Sequence, residues 1–521
     1  MSTIFPVLAD IPRRNAATRA AEVAIQCEDR TLTYAELERG SDRAADMLTA
    51  LGVQPGQRIA WLGRSHELFF EILFGAAKAR ACLAPINSRL AIPEIAFILD
   101  DSSAELFFVT EDFAAAARAV TAQIERPIRM VCVNGAPEGF ETYAALRDAA
   151  PAAPAAFPRT PAPTDDVIQL YTSGTTGLPK GVRLSNANFA AFLETAMTFE
   201  GLDFTTEDIF VAVMPLFHVG GMNPDLACLA GGARLVLVPA FDPAQTLRII
   251  EETRATRIGF VPAMINMLLQ CPTCAETDFS AVKTLVYGAS PISEAVLNAA
   301  RDRFGCRFIQ MFGMTETCAA GTILTCDDHR PELLRSCGRA WPTHEVRIID
   351  DTGAEAGVGE VGELQVRGPT VMVGYWNRPE ANLETLSPEG WLKTGDAGHK
   401  DAEGYIFVYD RVKDMIVSGG ENVYPAEVEN AILGCPGVAD AAVIGVPDPT
   451  WGEAVKAIVV RSPGAQVDAD TVIGWARQRI AGFKAPKSVD FIDVLPRNAT
   501  NKVLRRVLRE PYWAGHGRLV G

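Results

Sequence analysis

Ten short apolar runs most constrain the fold: RIAWLG, CLAPIN, LFFV, MVCV, IQLYT, IFVAV, RLVLVP, RIGFVP, TLVYG and FIQMFG. Each is strand length and too continuous for a half-solvated strand, which predicts strands buried on both faces. Between them the period switches to that of a helix. LTYAELERGSDRAADMLTALG places Leu37, Ala44, Ala45, Leu48 and Leu51 on one helical face, and a second helix is expected from about Glu67 through Ala79. Strand, helix and strand within roughly thirty residues is the spacing of a parallel βαβ unit. The series predicts a large doubly wound α/β body.

From about Glu345 the texture changes. EVRIID, GELQVRG and GYIFVYD are short strands joined by glycine-bearing turns such as DDTGAEAG, which predicts a small antiparallel barrel-like section. After DRVKDMI the chain mixes helical spacing in YPAEVENAILG with strands in DAAVIGV and VKAIVV and a helix expected over 469–480. The division expected is 1–412 for the large N-terminal domain and 413–521 for a small α+β domain. The Pro/Ala-rich stretch 151–166 reads as a surface connector.

A chain of 521 residues exceeds one ordinary core, and 48% apolar with 21% charged residues describes a globular protein throughout. A formal charge of −16 argues against duplex nucleic acid as a partner, since that needs a basic face. Eleven cysteines show no repeated spacing, and the CPTC pair, Cys271 and Cys274, lacks a second half to complete a zinc set. The start MSTIFPVLADIPRRN lacks the order of a secretory signal, and no run reaches a membrane-spanning length. A cytoplasmic location is expected, with a homodimer as a candidate assembly.

One connection stands apart. YTSGTTGLPKG, residues 171–181, holds three glycines, four Ser/Thr residues and a lysine immediately after the apolar VIQLY. Small residues let backbone N–H groups converge on an anion while hydroxyls and an ammonium add contacts, so phosphate suits this loop. It is not the common phosphate loop, because Lys180 lies between Pro179 and Gly181 where that motif needs Gly before and Ser/Thr after.

This loop resembles the signature of the adenylate-forming superfamily of acyl-CoA synthetases, carrier-linked adenylation domains and luciferases. Further segments carry the resemblance over nearly the whole chain: MPLFHVGG, VYGASP, MFGMTE, KTGDAG, YDRVKD, GGENVYP and PRNATNKVLRR. It implies a two-step reaction. Acid and ATP give acyl-AMP and pyrophosphate, then acyl-AMP and CoA give acyl-CoA and AMP. The implied partners are a carboxylic acid, ATP and CoA, with Mg²⁺ as cofactor.

Site residues follow from the same resemblance. Thr172, Ser173, Gly174, Thr175, Thr176, Gly177 and Lys180 would cradle phosphates, and Gly288, Ala289 and Ser290 would line the adenine. Phe312 would stack on the base with Gly313 leaving room, Thr315 would donate to the α-phosphate, and Glu316 would supply a hard oxygen to Mg²⁺. Asp396 and Arg411 resemble the ribose contacts, and His218 the residue at the carboxylate end of the acyl site. Lys502 would place positive charge between two anions that repel each other. The family usually has glycine before this lysine; here Asn501 stands there, a residue that tolerates a left-handed backbone.

For the second step the resemblance implies that the small domain rotates about Lys413. Gly419 and Gly420 would line a pantetheine tunnel, and Trp451 and Phe483 would contact the CoA nucleotide, with Lys484 and Lys487 near its phosphates. The acyl pocket walls are expected from Phe217, Met222, Val261, Ala263 and Met314. The texture is closest to bacterial medium- and long-chain fatty acyl-CoA synthetases. Two alternatives stay open: an aryl or arylalkanoic acid ligase, and a stand-alone adenylation enzyme loading a separate carrier protein. An amino-acid substrate would call for an acidic pocket residue, and Asp225 lies nearby.

Overall fold

The computed structural model describes residues 5–152, 160–172, 179–290, 292–411, 414–418, 421–448, 451–497 and 503–513. All ten apolar runs become strands, distributed over two large mixed sheets. Burial explains their composition: every residue of Arg58–Leu62, Cys82–Pro85 and Leu106–Val109 is buried.

The nine-stranded sheet has a parallel centre in which Arg234–Leu237, Ile209–Ala212, Arg257–Phe260, Thr284–Gly288 and Arg307–Phe312 lie side by side. Its edges are antiparallel. Thr322–Leu324 follows Arg307–Phe312 at one side, and the hairpin Val23–Cys27 with Arg30–Thr33 closes the other. The eight-stranded sheet is likewise parallel from Cys82–Pro85 outward to Glu141–Thr142.

Local chemistry starts and seats the helices. Thr33 and Glu36 form a reciprocal capping box that opens the Tyr34–Ala50 helix. That helix lies so close to Glu67–Lys78 that a Cβ on Gly75 would come within 2.5 Å of the Ala44 Cβ, so only glycine permits the contact. Lys78, a charge in an apolar run, is buried and satisfied by Glu38, Ser41 and Asp42 at 2.7–2.8 Å.

The section after Glu345 is the expected antiparallel half-barrel, with Glu345–Ile349, Gly362–Arg367, Leu392–Lys400 and Ile406–Arg411 in that order. The C-terminal part carries a five-stranded sheet built on Gly452–Arg461, which pairs with Val438–Asp448, Ile416–Ser418 and Ser488–Phe491, with its own core around Val428, Val443, Val455 and Val472. The helix expected over 469–480 runs Ala469–Arg477; the residues after it continue only as a turn, with Ile480 N–H donating to the Ala476 carbonyl. The fold is thus a large α/β body with an antiparallel half-barrel and a small C-terminal domain.

Candidate active site

The parallel centre of the nine-stranded sheet concentrates the motifs. Its strands lead into residues 213–218, 261–263, 288–290 and 312–316, of which Pro262 and Ala263 already open the helix Pro262–Gln270, so MPLFHVGG, VPA, GAS and FGMTE meet at one edge. Ligands of open α/β sheets bind outside such carboxyl ends. Packing there is tight. A Cβ on Gly288 would come 2.2 Å from the Met311 carbonyl oxygen, and one on Gly313 2.2 Å from that of Ala319. Ala289 adopts φ +68°, and Cys318 and Ala319 adopt +49° and +63°, a left-handed region unfavourable to side chains. Strain of this kind collects where a site over-determines its backbone.

Phe312 is half-buried and packs on the half-barrel residues Ile348, Leu364 and Ile406. Thr315, Glu316 and Thr317 form a single 3-10 turn, in which Glu316 is 5% exposed. On the neighbouring half-barrel strands Asp396 and Arg411 are register partners, and Asp396 is buried. The Arg411 side chain lies outside the described residues.

The signature loop does not lead from strand to helix. Asp166–Thr172 and Lys180–Ser185 are antiparallel partners, with Thr172 opposite Lys180, so the loop is the tip of a hairpin. Its base is clamped: Arg58 donates to Gln169 Oε1 and Asp166 Oδ2 at 2.9 and 2.6 Å, and Arg183 donates to Asp166 Oδ2 at 2.8 Å. Ser173, Gly174, Thr175, Thr176 and Gly177 lie outside the described residues. Lys180 is described, with its Nζ 5.1 Å from the centre of the Tyr375 ring.

Sequence reasoning missed the segment 369–376, which fastens these parts together. Asn188 Nδ2 donates to the carbonyls of Pro369 and Val371, both at 2.9 Å. Thr370 Oγ1 donates to the Thr317 carbonyl at 2.8 Å and accepts from His344 Nε2 at 2.6 Å. Met372 N–H donates to the Glu316 carbonyl at 2.8 Å, and the Tyr375 hydroxyl donates to Glu316 Oε1 at 2.9 Å. Gly374 and Tyr375 pair with Arg183 and Val182, and Trp376 N–H donates to the Gly181 carbonyl. One short segment therefore ties the signature hairpin of one sheet to the Glu316 turn of the other. The only sequence signal was the aromatic pair in GYWNRPE, which reads as an ordinary turn.

Among the residues expected to hold the acyl group, His218 precedes the Val219–Ala230 helix, its carbonyl accepting from the N–H groups of Gly221 and Met222 at 3.0 Å, and Phe217 lies edge-on to its ring at 4.7 Å. Phe217 and Val261 are buried, while Ala263 and Met314 are half-buried. Met222 is fully buried in the principal core, so in this conformation its side chain offers no surface to a ligand. Asp225 is also buried, and burial pushes its carboxyl well above the ordinary carboxylate range.

In the C-terminal domain Trp451 and Phe483 are exposed, with Lys487 Nζ 5.9 Å from the Trp451 ring. Lys484 is committed elsewhere, donating to both Glu427 oxygens at 2.8 Å. Arg497 and Val503 form an antiparallel bridge that brackets the segment of Lys502. Lys502, Lys413, Gly419 and Gly420 lie outside the described residues.

Residues 12–376 match the AMP-binding enzyme family, and residues 427–502 match the AMP-binding enzyme C-terminal domain. The chain belongs to the adenylate-forming family of acid–thiol ligases. A fatty acid–[acyl-carrier-protein] ligase, ScoC, of Streptomyces coeruleorubidus is 41% identical over 95% of each chain. A feruloyl-CoA synthase of an Amycolatopsis species is 39% identical over 96% of this chain and 98% of that one. Among solved structures, ATP-bound MatB from Rhodopseudomonas palustris has a TM-score of 0.86 at 30% identity, covering 97% of this chain and 99% of the other. Among the described residues no helix of this adenylate-forming ligase is long and apolar enough to cross a membrane.

Glu316 suits the magnesium that the sequence resemblance implies. Its carboxylate accepts a hydrogen bond from Tyr375 at Oε1, and Oε2 has no hydrogen-bond donor among the described residues. Magnesium is commonly held by one or two carboxylates together with substrate phosphates. Among the described residues no group of three or more His, Cys, Asp or Glu side chains forms a protein-only metal cage.

Proposed function

We propose that this AMP-forming acyl-CoA ligase activates a medium- or long-chain fatty acid. The observation that carries the reading is the meeting, at one sheet edge, of apolar acyl-loop residues with the GAS and FGMTE loops. Phe217, Val261, Ala263 and Met314 are apolar, and Asp225 is buried away from the surface, so a substrate tail with no charge fits. A second reading, an aryl acid, draws support from the 39% identity to a feruloyl-CoA synthase.

The roles follow from charge. The carboxylate is already ionised at neutral pH and needs no base. His218, with Phe217 against it, borders the entry of the carboxylate to the phosphate side and gates it. Thr315 and the hydroxyls of the signature loop donate to phosphate oxygens, and Lys180 places an ammonium beside them. Phe312 offers the adenine the face not packed on the half-barrel. Asp396 accepts from ribose hydroxyls, with Arg411 opposite. Bound at Glu316, Mg²⁺ supplies charge neutralisation on the phosphates. Lys502 brings positive charge to the attacking carboxylate oxygen and the α-phosphate as pyrophosphate leaves.

For thioester formation, we propose that residues 413–521 reorient about Lys413. Gly419 and Gly420 then admit the pantetheine arm, and the exposed Trp451 and Phe483 meet the nucleotide end of CoA. Lys487, not the Glu427-bound Lys484, is the lysine left to face its phosphates.

A thioester screen with saturated acids of increasing chain length beside hydroxycinnamic and arylacetic acids tests the substrate class. The fatty reading predicts the highest kcat/KM for a chain of about eight carbons or more, since each buried methylene contributes about 0.8 kcal/mol. A hydroxycinnamic acid preferred by tenfold or more would transfer the assignment to the aryl class.

A further inference from the structure

Tyr375 contacts two charged groups of the proposed nucleotide site, Glu316 and Lys180. Its hydroxyl donates to Glu316 Oε1 at 2.9 Å, and its ring carries Lys180 Nζ at 5.1 Å from the centroid. Among the described residues Lys180 makes no ion pair, and the Tyr375 hydroxyl is the one donor to the Glu316 carboxylate.

The tyrosine is held firmly enough to keep this arrangement. Asn382 brackets its backbone, accepting from Tyr375 N–H at 2.6 Å and donating to its carbonyl at 3.2 Å. The ladder to Val182 fixes the strand, and the next residue, Trp376, donates through Nε1 to the Asp101 carbonyl at 3.0 Å under the Arg58 guanidinium. At 6% exposure the ring has little freedom.

Opposite charges left adjacent in a poorly solvated site pair with each other and neutralise what each should offer a ligand. An aromatic ring with a hydroxyl at its edge avoids this, since its face accepts the ammonium while its O–H serves the carboxylate. We infer that Tyr375 is a positioning residue that keeps Lys180 and Glu316 apart and aimed, so that lysine meets phosphate and glutamate meets magnesium. The inference rests on the nucleotide-site reading of those two residues.

Two variants separate the two contacts. Tyr375→Phe keeps the ring under Lys180 and removes only the hydroxyl; Tyr375→Leu removes both. ATP binding is measured by calorimetry on the full chain in EDTA and across a Mg²⁺ titration, with a melting curve for each protein. For Tyr375→Phe we expect ATP affinity in EDTA within twofold of wild type. The Mg²⁺ concentration that half-saturates the tightening of ATP binding should rise about tenfold, the scale of losing a hydrogen bond to a charged group. For Tyr375→Leu the EDTA affinity should also fall severalfold. Wild-type Mg²⁺ dependence in Tyr375→Phe overturns the inference, including when its melting temperature drops, because that pattern marks a purely structural tyrosine. Equal EDTA affinities in the two variants overturn the Lys180 contact. If the wild-type chain binds no ATP, the nucleotide-site reading itself fails, and the inference with it.

Discussion

Two histidines show how far individual side chains here are committed to one protonation state. His329 donates through Nδ1 to the Thr325 carbonyl at 2.7 Å and accepts from the Tyr287 hydroxyl at Nε2, 3.0 Å away. His344 donates through Nε2 to Thr370 and accepts at Nδ1 from the Thr343 hydroxyl at 3.2 Å. Burial lowers both from 6.5 to about 4, which keeps the rings neutral at pH 7 and leaves each one nitrogen to donate and one to accept. Between those values the unfolded chain binds more protons than the folded one, so stability is full above about pH 6.5 and falls as pH drops toward 4. Together they should cost about 2 kcal/mol or more over that window. Denaturant midpoints at pH 7, 5.5 and 4.5 for wild type and a His329→Gln/His344→Gln double variant check this. The double variant should lose part of the pH slope, and identical slopes would contradict the assignment. Neither histidine announced itself in sequence, because a lone histidine acquires its partners only through tertiary contacts; Tyr287 lies 42 residues from His329.

Among elements, the legible and the illegible divide along a physical line. Buried parallel strands are continuous apolar runs, so IFVAV, RIGFVP, TLVYG and FIQMFG could be read directly, and the loops at their ends followed. Segment 369–376 has two paired residues and takes its importance from contacts as distant as the 275 residues between Asp101 and Trp376. The hairpin form of the signature loop was hidden for a similar reason, since pairing direction depends on the partner strand. Thr370 tests the fastening role. It is fully buried, and Thr370→Val would leave His344 Nε2–H unpaired and the Thr317 carbonyl with only the Ala320 N–H as donor. Chemical denaturation should show a loss of about 1–3 kcal/mol, and a change below about 0.5 kcal/mol would contradict the bracing role.

At the scale of the molecule, the half-barrel and the small domain stand beside a site built mainly from the large α/β body. A ring stack, Tyr409 on Tyr424 at 4.8 Å, joins the strand Ile406–Arg411 to the residue preceding the helix Pro425–Leu433. The proposed role of Lys502 in adenylation and the proposed entry of the thiol beside Gly419 and Gly420 make the two steps separable by mutation. The most direct test assays the two half-reactions separately in wild type and Lys502→Ala. With ATP and acid alone, wild type should release pyrophosphate in the first turnover; with CoA added, AMP and thioester should appear in equal amounts. Lys502→Ala should lower adenylation by roughly 10²-fold or more while converting supplied acyl-AMP and CoA near the wild-type rate. Formation of ADP, or equal loss of both half-reactions in the variant, would contradict the account.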